Sequence, residues 1–149
     1  MTNTTLKPLF TSTAGFGALV LRVPVGIILT AHGAQKLFGW FGGYGLEGTG
    51  QWMASIGLEP GLFMALIAGL AEFAGGLALI LGLFTRPAAL VSAVTMTVAI
   101  FSVHFSNGLF MANNGYEFAL SLLAATAALT ALGGGKFAMD NLLAAKLDE

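Results

Sequence analysis

The chain has 149 residues, of which 56% are apolar and only 9% charged, with a net charge of −1 and no cysteine. A soluble domain carries about 25% charged residues, so too few are present here to dress a water-facing surface, and the mean hydropathy of +0.85 agrees. The balanced charge leaves no basic stripe for nucleic acid. The missing cysteines remove disulfides, thiol redox chemistry and thiolate metal sites, and leave the redox compartment unread.

Four apolar stretches, roughly 15–37, 61–84, 87–105 and 115–133, are long enough to span a bilayer, which takes about 20 helical residues. Barrel strands alternate in polarity, and Leu77-Ala78-Leu79-Ile80-Leu81 does not. The expectation is an all-α integral membrane protein, a four-helix bundle forming one domain over 1–149. Arg22 breaks the first apolar run and no small-x-small cleavage site follows, so that run reads as a retained helix rather than a signal peptide.

The first stretch places Arg22 roughly 10 Å in from its start, His32 roughly 25 Å in, and Lys36 one turn beyond. The following loop, 38–60, is rich in glycine and aromatic residues, from Phe38-Gly39-Trp40-Phe41 to Gly43-Tyr44-Gly45 and Trp52. Trp and Tyr favour the membrane interface. The loop is thus either an aromatic anchor or a lid over a site below, with a short interfacial helix from Thr49 to Ile56. Its glycines are no phosphate cradle, since no strand precedes them and no Gly-Lys-Ser/Thr follows.

The second stretch carries Glu72 about 16 Å from its start, near the midplane. Ala68, Glu72 and Gly76 stand four apart, as do Gly61, Ala65 and Gly69. Such small-residue rows let helices approach closely, which makes this helix central and offers a face for self-association. Thr85-Arg86-Pro87 is a turn, with Pro87 in the first turn of the next helix. The third stretch sets His104 at the height of His32. Ser106-Asn107-Gly108 and Asn113-Asn114-Gly115 bracket a short loop. Glu117 opens the fourth helix, where a carboxylate suits the positive end. Gly133-Gly134-Gly135 ends that helix, and Asp140–Leu147 reads as a short capped helix on the inner surface. Lys7, Arg86, Lys136 and Lys146 lie on one side and Lys36 alone on the other, so the positive-inside rule puts both termini in the cytoplasm and leaves the Asn3-Thr4-Thr5 glycosylation sequon idle.

An intramembrane charge costs about 2.5–3.5 kcal/mol even on mild scales, so each one needs a partner or a purpose. Depth counting groups them in two layers. Arg22 and Glu72 form the lower, expected to pair, either as a structural ion pair or as part of a site. His32, His104, Glu117 and Lys36 form the upper, beneath the aromatic loop. Haem ligation by the two histidines lacks any other mark, and no metal site is expected from ligands so dispersed. A quinone head group fits better, being apolar, stacking on rings such as Phe38, Trp40, Phe41, Tyr44 and Phe105, and needing a few groups that pass protons.

The assembled residues resemble the DoxX family of small bacterial membrane proteins. The matching pieces are Arg22, His32-Gly33-Ala34-Gln35-Lys36-Leu37-Phe38-Gly39, Gly42-Gly43-Tyr44-Gly45, Gly48-Thr49, Trp52, Gly69-Leu70-Ala71-Glu72, Gly75-Gly76, Leu81-Gly82-Leu83-Phe84-Thr85-Arg86, Val103-His104 and Gly115-Tyr116-Glu117. The resemblance covers roughly 15–133. It implies a four-helix fold in the bacterial inner membrane and redox work near the quinone pool, as in subunits of thiosulfate:quinone oxidoreductase or assemblies for oxidative-stress defence. It leaves open whether this chain is itself an enzyme. The expectation is a quinone-linked redox subunit or quinone-binding component with no covalent cofactor, in contact with the bilayer and a redox partner protein and self-associating. Candidate catalytic groups are His32, Glu72, His104 and Glu117, with Arg22, Lys36, Trp40 and Tyr44 as ligand-binding groups. The competing readings are a small-solute or proton-coupled transporter or channel using Glu72, and a non-catalytic assembly protein.

Overall fold

The computed structural model describes residues 6–147, so the Asn3 sequon lies outside the described residues. These residues form helices and connecting turns: α1 (Lys7–Phe10), α2 (Phe16–Phe38), α3 (Gly45–Ser55), α4 (Gly61–Leu81), α5 (Thr85–Ala99), α6 (Glu117–Leu132) and α7 (Asp140–Lys146). Three helical stretches, Phe16–Phe38, Gly61–Leu81 and Thr85–Asn107, are long and apolar enough to cross a membrane, and α6 is a shorter apolar helix. α2 makes its broadest contact with α4 and α5 with α6; α4 also meets α5 and α2 meets α6, which closes a ring of four helices. Leu29, Leu79, Ala89, Met96, Leu122 and Leu129 fill its centre.

Glycines set the tight α2–α4 crossing. A Cβ on Gly33 would fall 2.3 Å from the Phe73 backbone nitrogen, and one on Gly76 would fall 2.5 Å from that of Thr30. The small-residue row read as a face for self-association is therefore taken up inside the chain: Gly69 receives Leu37 of α2, and Gly61 receives Gly50 and Ala54 of α3. Neither backbone can yield at Gly33, so Gly33→Ala is expected to destabilise the protein by about 1–3 kcal/mol, the usual range for overpacking. A denaturation midpoint unchanged by that substitution would rule out the close crossing.

The end of the bundle that holds α1 and α7, which pack on each other, is closed by polar groups. Arg22, 1% exposed, does not pair with Glu72. Its guanidinium donates to the carbonyls of Leu79 (2.8 Å), Ile80 (2.5 Å), Gly134 (3.1 Å, from Nε) and Phe137 (3.0 Å). It thereby caps the C-terminus of α4, where four carbonyls have no helical partner and a cation is favoured. Asp140, at the start of the helix expected to lie on the inner surface, is buried. Its carboxylate accepts from the backbone nitrogens of Phe84 (2.6 Å) and Thr85 (2.9 Å) at the start of α5. Arg86 does for α6 what Arg22 does for α4, donating to the carbonyls of Thr130, Ala131 and Leu132, and also to Thr11.

At the opposite end, Gly39 takes the left-handed conformation (φ 72°) that stops α2, and α3, which starts at Gly45 rather than at the expected Thr49, packs on α4. α5 changes pitch near this end. Residues Ile100–His104 form a wide π turn, in which the Phe105 nitrogen donates to the Ile100 carbonyl.

Candidate functional site

The opposing tilts of α2 and α4 side chains build the site. A helical side chain leans towards its own helix's N-terminus. Lys36, in the last turn of α2, therefore leans back into the bundle, and Glu72, midway along the oppositely directed α4, leans up towards it. Lys36 Nζ and Glu72 Oε2 meet at 2.5 Å, with the carboxylate side chain 4% exposed and the lysine 23%. The pair is charge-assisted and short, the strong kind of hydrogen bond.

This pair stands in the wall of a cavity of about 550 Å3, within the ~300–1,000 Å3 range of ligand sites. His32 and His104 line the same cavity from α2 and from the π turn after α5, and Tyr44 and Trp52 line it from the loop side. Gln35, Thr49, Thr95, Ser102 and Asn114 add hydroxyl and amide groups, while Leu29, Met53, Met64, Met96, Phe118 and Leu122 make the remainder largely apolar. His104 Nδ1 donates to the Asn114 carbonyl at 2.9 Å, since a carbonyl oxygen can only accept. The His32 ring packs 5.8 Å from that of Phe118.

The two layers read from the sequence are thus repartitioned. Glu72 joins His32, His104 and Lys36 in one site, and Arg22 leaves for the terminal end. Glu117 is not among the lining residues; its carboxylate accepts from the Met111 nitrogen at 2.6 Å and pins the loop before α6. Trp40 also stays outside, packed with Phe38 (5.0 Å) and Phe41 (6.4 Å), and Phe105 stacks on Tyr116. Trp52, Thr95 and Ser102 were not singled out as site residues by sequence. Trp52 had a signal, as one of the aromatic residues of the loop expected to overlie the site. Thr95 and Ser102 had none: neither is ionisable, and Ser102 lies within the wide turn, which no spacing reveals.

The matched region found by comparison contains every charged or histidine side chain that lines the cavity. The DoxX family profile matches residues 17–105. The chain is 38% identical over 114 residues to "Putative oxidoreductase CatD" of Bacillus subtilis (strain 168), covering 76% of this chain and 78% of that protein. It is 34% identical over 133 residues to "Inner membrane protein YqjF" of Escherichia coli (strain K12), covering 85% and 92%. It is 33% identical over 88 residues to "Inner membrane protein YphA" of the same organism, covering 58% and 59%. No solved structure matches the chain. With three apolar helices of membrane-crossing length and relatives named for the inner membrane, this is a multi-pass inner-membrane protein. The chain belongs to the DoxX family.

Proposed function

We propose that this protein is a quinone-binding component of an inner-membrane redox assembly, with its ligand's head group in the cavity beside Lys36 and Glu72. The observation that carries the reading is the cavity itself: a mostly apolar chamber of about 550 Å3 that gathers a buried ion pair and two histidines at one place. A quinone presents two carbonyl oxygens at opposite ends of a flat ring. Lys36 can donate to one oxygen, while His32 and His104 handle protons at the other, and Trp52 and Phe118 offer faces for the ring. Reduction to the quinol takes up two electrons and two protons. The protons pass through the histidines, and the electrons come from a partner protein, because this chain has no cysteine and no nicotinamide or flavin fingerprint. The "oxidoreductase" in the name of the Bacillus relative is in keeping with this.

In the same reading α6 completes a four-span bundle. Its 16 residues cover about 24 Å, which a locally thinned bilayer accommodates. The excess of Lys and Arg at the terminal end puts both termini in the cytoplasm and the cavity in the outer half of the membrane.

The test is direct. Protein purified with native lipid is extracted for quinone, and quinone binding is then titrated for the wild type, His32→Ala and Glu72→Gln. Each substitution is expected to weaken binding by 10-fold or more; unchanged affinity in both would sink the assignment. The buried Lys36–Glu72 pair also suits a proton-coupled transporter, since intramembrane ion pairs mark such pathways. Solute flux into proteoliposomes that vanishes in Glu72→Gln, with no quinone bound, would favour that second reading.

A further inference from the structure

The cavity has a side as well as a mouth. Gly75 of α4 lies against Ser92 of α5, where an added Cβ would sit 3.0 Å from the serine hydroxyl. From that level towards the loop end both helices line the cavity: α4 contributes Ile67 and Glu72, and α5 contributes Val94 and Val98. Three of these lining side chains are also surface residues, with Ile67 48%, Val94 56% and Val98 42% exposed. They form a rim, and a rim that is both cavity wall and outer surface marks an opening.

That opening lies within the membrane-crossing stretches. Ile67 is the seventh residue of α4, and Val94 and Val98 are the tenth and fourteenth of the Thr85–Asn107 stretch. What surrounds the rim there is lipid hydrocarbon rather than water. We infer that the cleft between α4 and α5 is a lateral portal through which a lipophilic ligand enters from the bilayer, its head drawn to Lys36–Glu72 and its apolar tail left lying between Ile67 and Val98. The polarity gradient supports this direction of entry. The exposed rim positions Ile67, Val94 and Val98 are aliphatic, with the exposed hydroxyl of Ser102 a turn beyond them, after α5, the charged groups lie inside, and an amphiphile placed head-inward satisfies both at once without carrying its tail through water. A hydrophilic solute would have to approach from the loop end and would leave the aliphatic rim without a role.

The inference takes only the identity of the ligand from the quinone reading, and the experiment keeps the two apart. Protein in lipid nanodiscs is mixed with a long-tailed quinone or with the tail-less head group, and association rates are measured for the wild type, Ile67→Phe, Val98→Phe and the control Leu90→Phe, an exposed position outside the cavity wall. The rim variants are expected to slow the long-tailed quinone by 10-fold or more, to leave the tail-less one within 2-fold, and to match the control in thermal stability. Equal rates for the long-tailed ligand in rim variants and control would overturn the portal. If the wild type binds no quinone, the functional proposal falls while the portal is still tested by fluorescence. The chain has two tryptophans, so Trp40→Phe leaves Trp52 as the reporter inside the cavity. Trp52 is 40% exposed, so lipid at the outer face gives a baseline; lipids brominated at mid-chain are expected to quench Trp52 beyond the baseline left when Ile67→Phe and Val98→Phe are combined, and to quench it less when either is added. Quenching unaffected by both rim substitutions would overturn the portal independently.

Discussion

Replacing Arg22 with methionine is expected to destabilise the protein by at least about 3 kcal/mol, because buried carbonyls left without a donor cost about 1–3 kcal/mol each and the side chain serves four of them. The loss should be cooperative, since those carbonyls belong to the end of α4 and to the segment 134–137 that folds back beneath the bundle. Arg22→Lys should recover only part of it: an ammonium has three donors on one atom and cannot fork across two chain segments as a guanidinium does. Asp140→Asn should be milder, as an amide oxygen can still accept from Phe84 or Thr85. Unfolding in mixed detergent micelles, followed by circular dichroism, gives the comparison. An Arg22→Met protein as stable as the wild type would mean that the terminal carbonyls find other donors and that the arginine is not a cap.

Lys36→Met should cost about 3 kcal/mol, at the lower end of the range for breaking a buried pair, because the lysine side chain keeps some exposure to water. Glu72 is left buried without a counter-charge, which is the main source of the loss. The double variant Lys36→Met/Glu72→Leu removes both charges and their desolvation cost together, so it should regain most of the lost stability or exceed the wild type. In the proposed function, however, it should bind quinone at least 10-fold more weakly. That separation is the informative outcome. Stability restored and binding lost together identify the pair as functional, whereas additive destabilisation in the double variant would show that the two side chains do not interact.

The helices were legible because hydrophobic length is a composition signal. Spans expected at 15–37 and 61–84 are found at Phe16–Phe38 and Gly61–Leu81, and the sharp stop of α4 comes from Gly82 in the left-handed region (φ 68°). A short helix read from Thr49 to Ile56 in the first loop is found at Gly45–Ser55. The pairing of charges was harder to read. Depth counting put Arg22 and Glu72 at similar heights, but height ignores the direction in which a side chain leaves its helix. On α2 both Arg22 and Lys36 lean towards Phe16; this carries Arg22 away from the midplane and brings Lys36 down to it. Gly133-Gly134-Gly135 as the stop of α6 and a helix from Asp140 were legible, but the burial of Asp140 was not, since a segment with no periodicity gives no clue that it folds back under a helix end. Glu117 looked like a site residue because it shares a height with His104, yet the nearest unsatisfied donor is the Met111 backbone nitrogen in its own loop.

The wide turn at Ile100–His104 carries one residue more than an α-helical turn needs. Each residue of an α-helix advances the azimuth by about 100°, so one surplus residue re-aims every side chain beyond it relative to an unbroken helix. His104 consequently owes its bearing on Asn114 and on the cavity to arithmetic of chain length, not to any apolar pattern around it. A helix that spends a residue in this way gives up regularity at one turn and gains a histidine pointed where its sequence position alone would not send it.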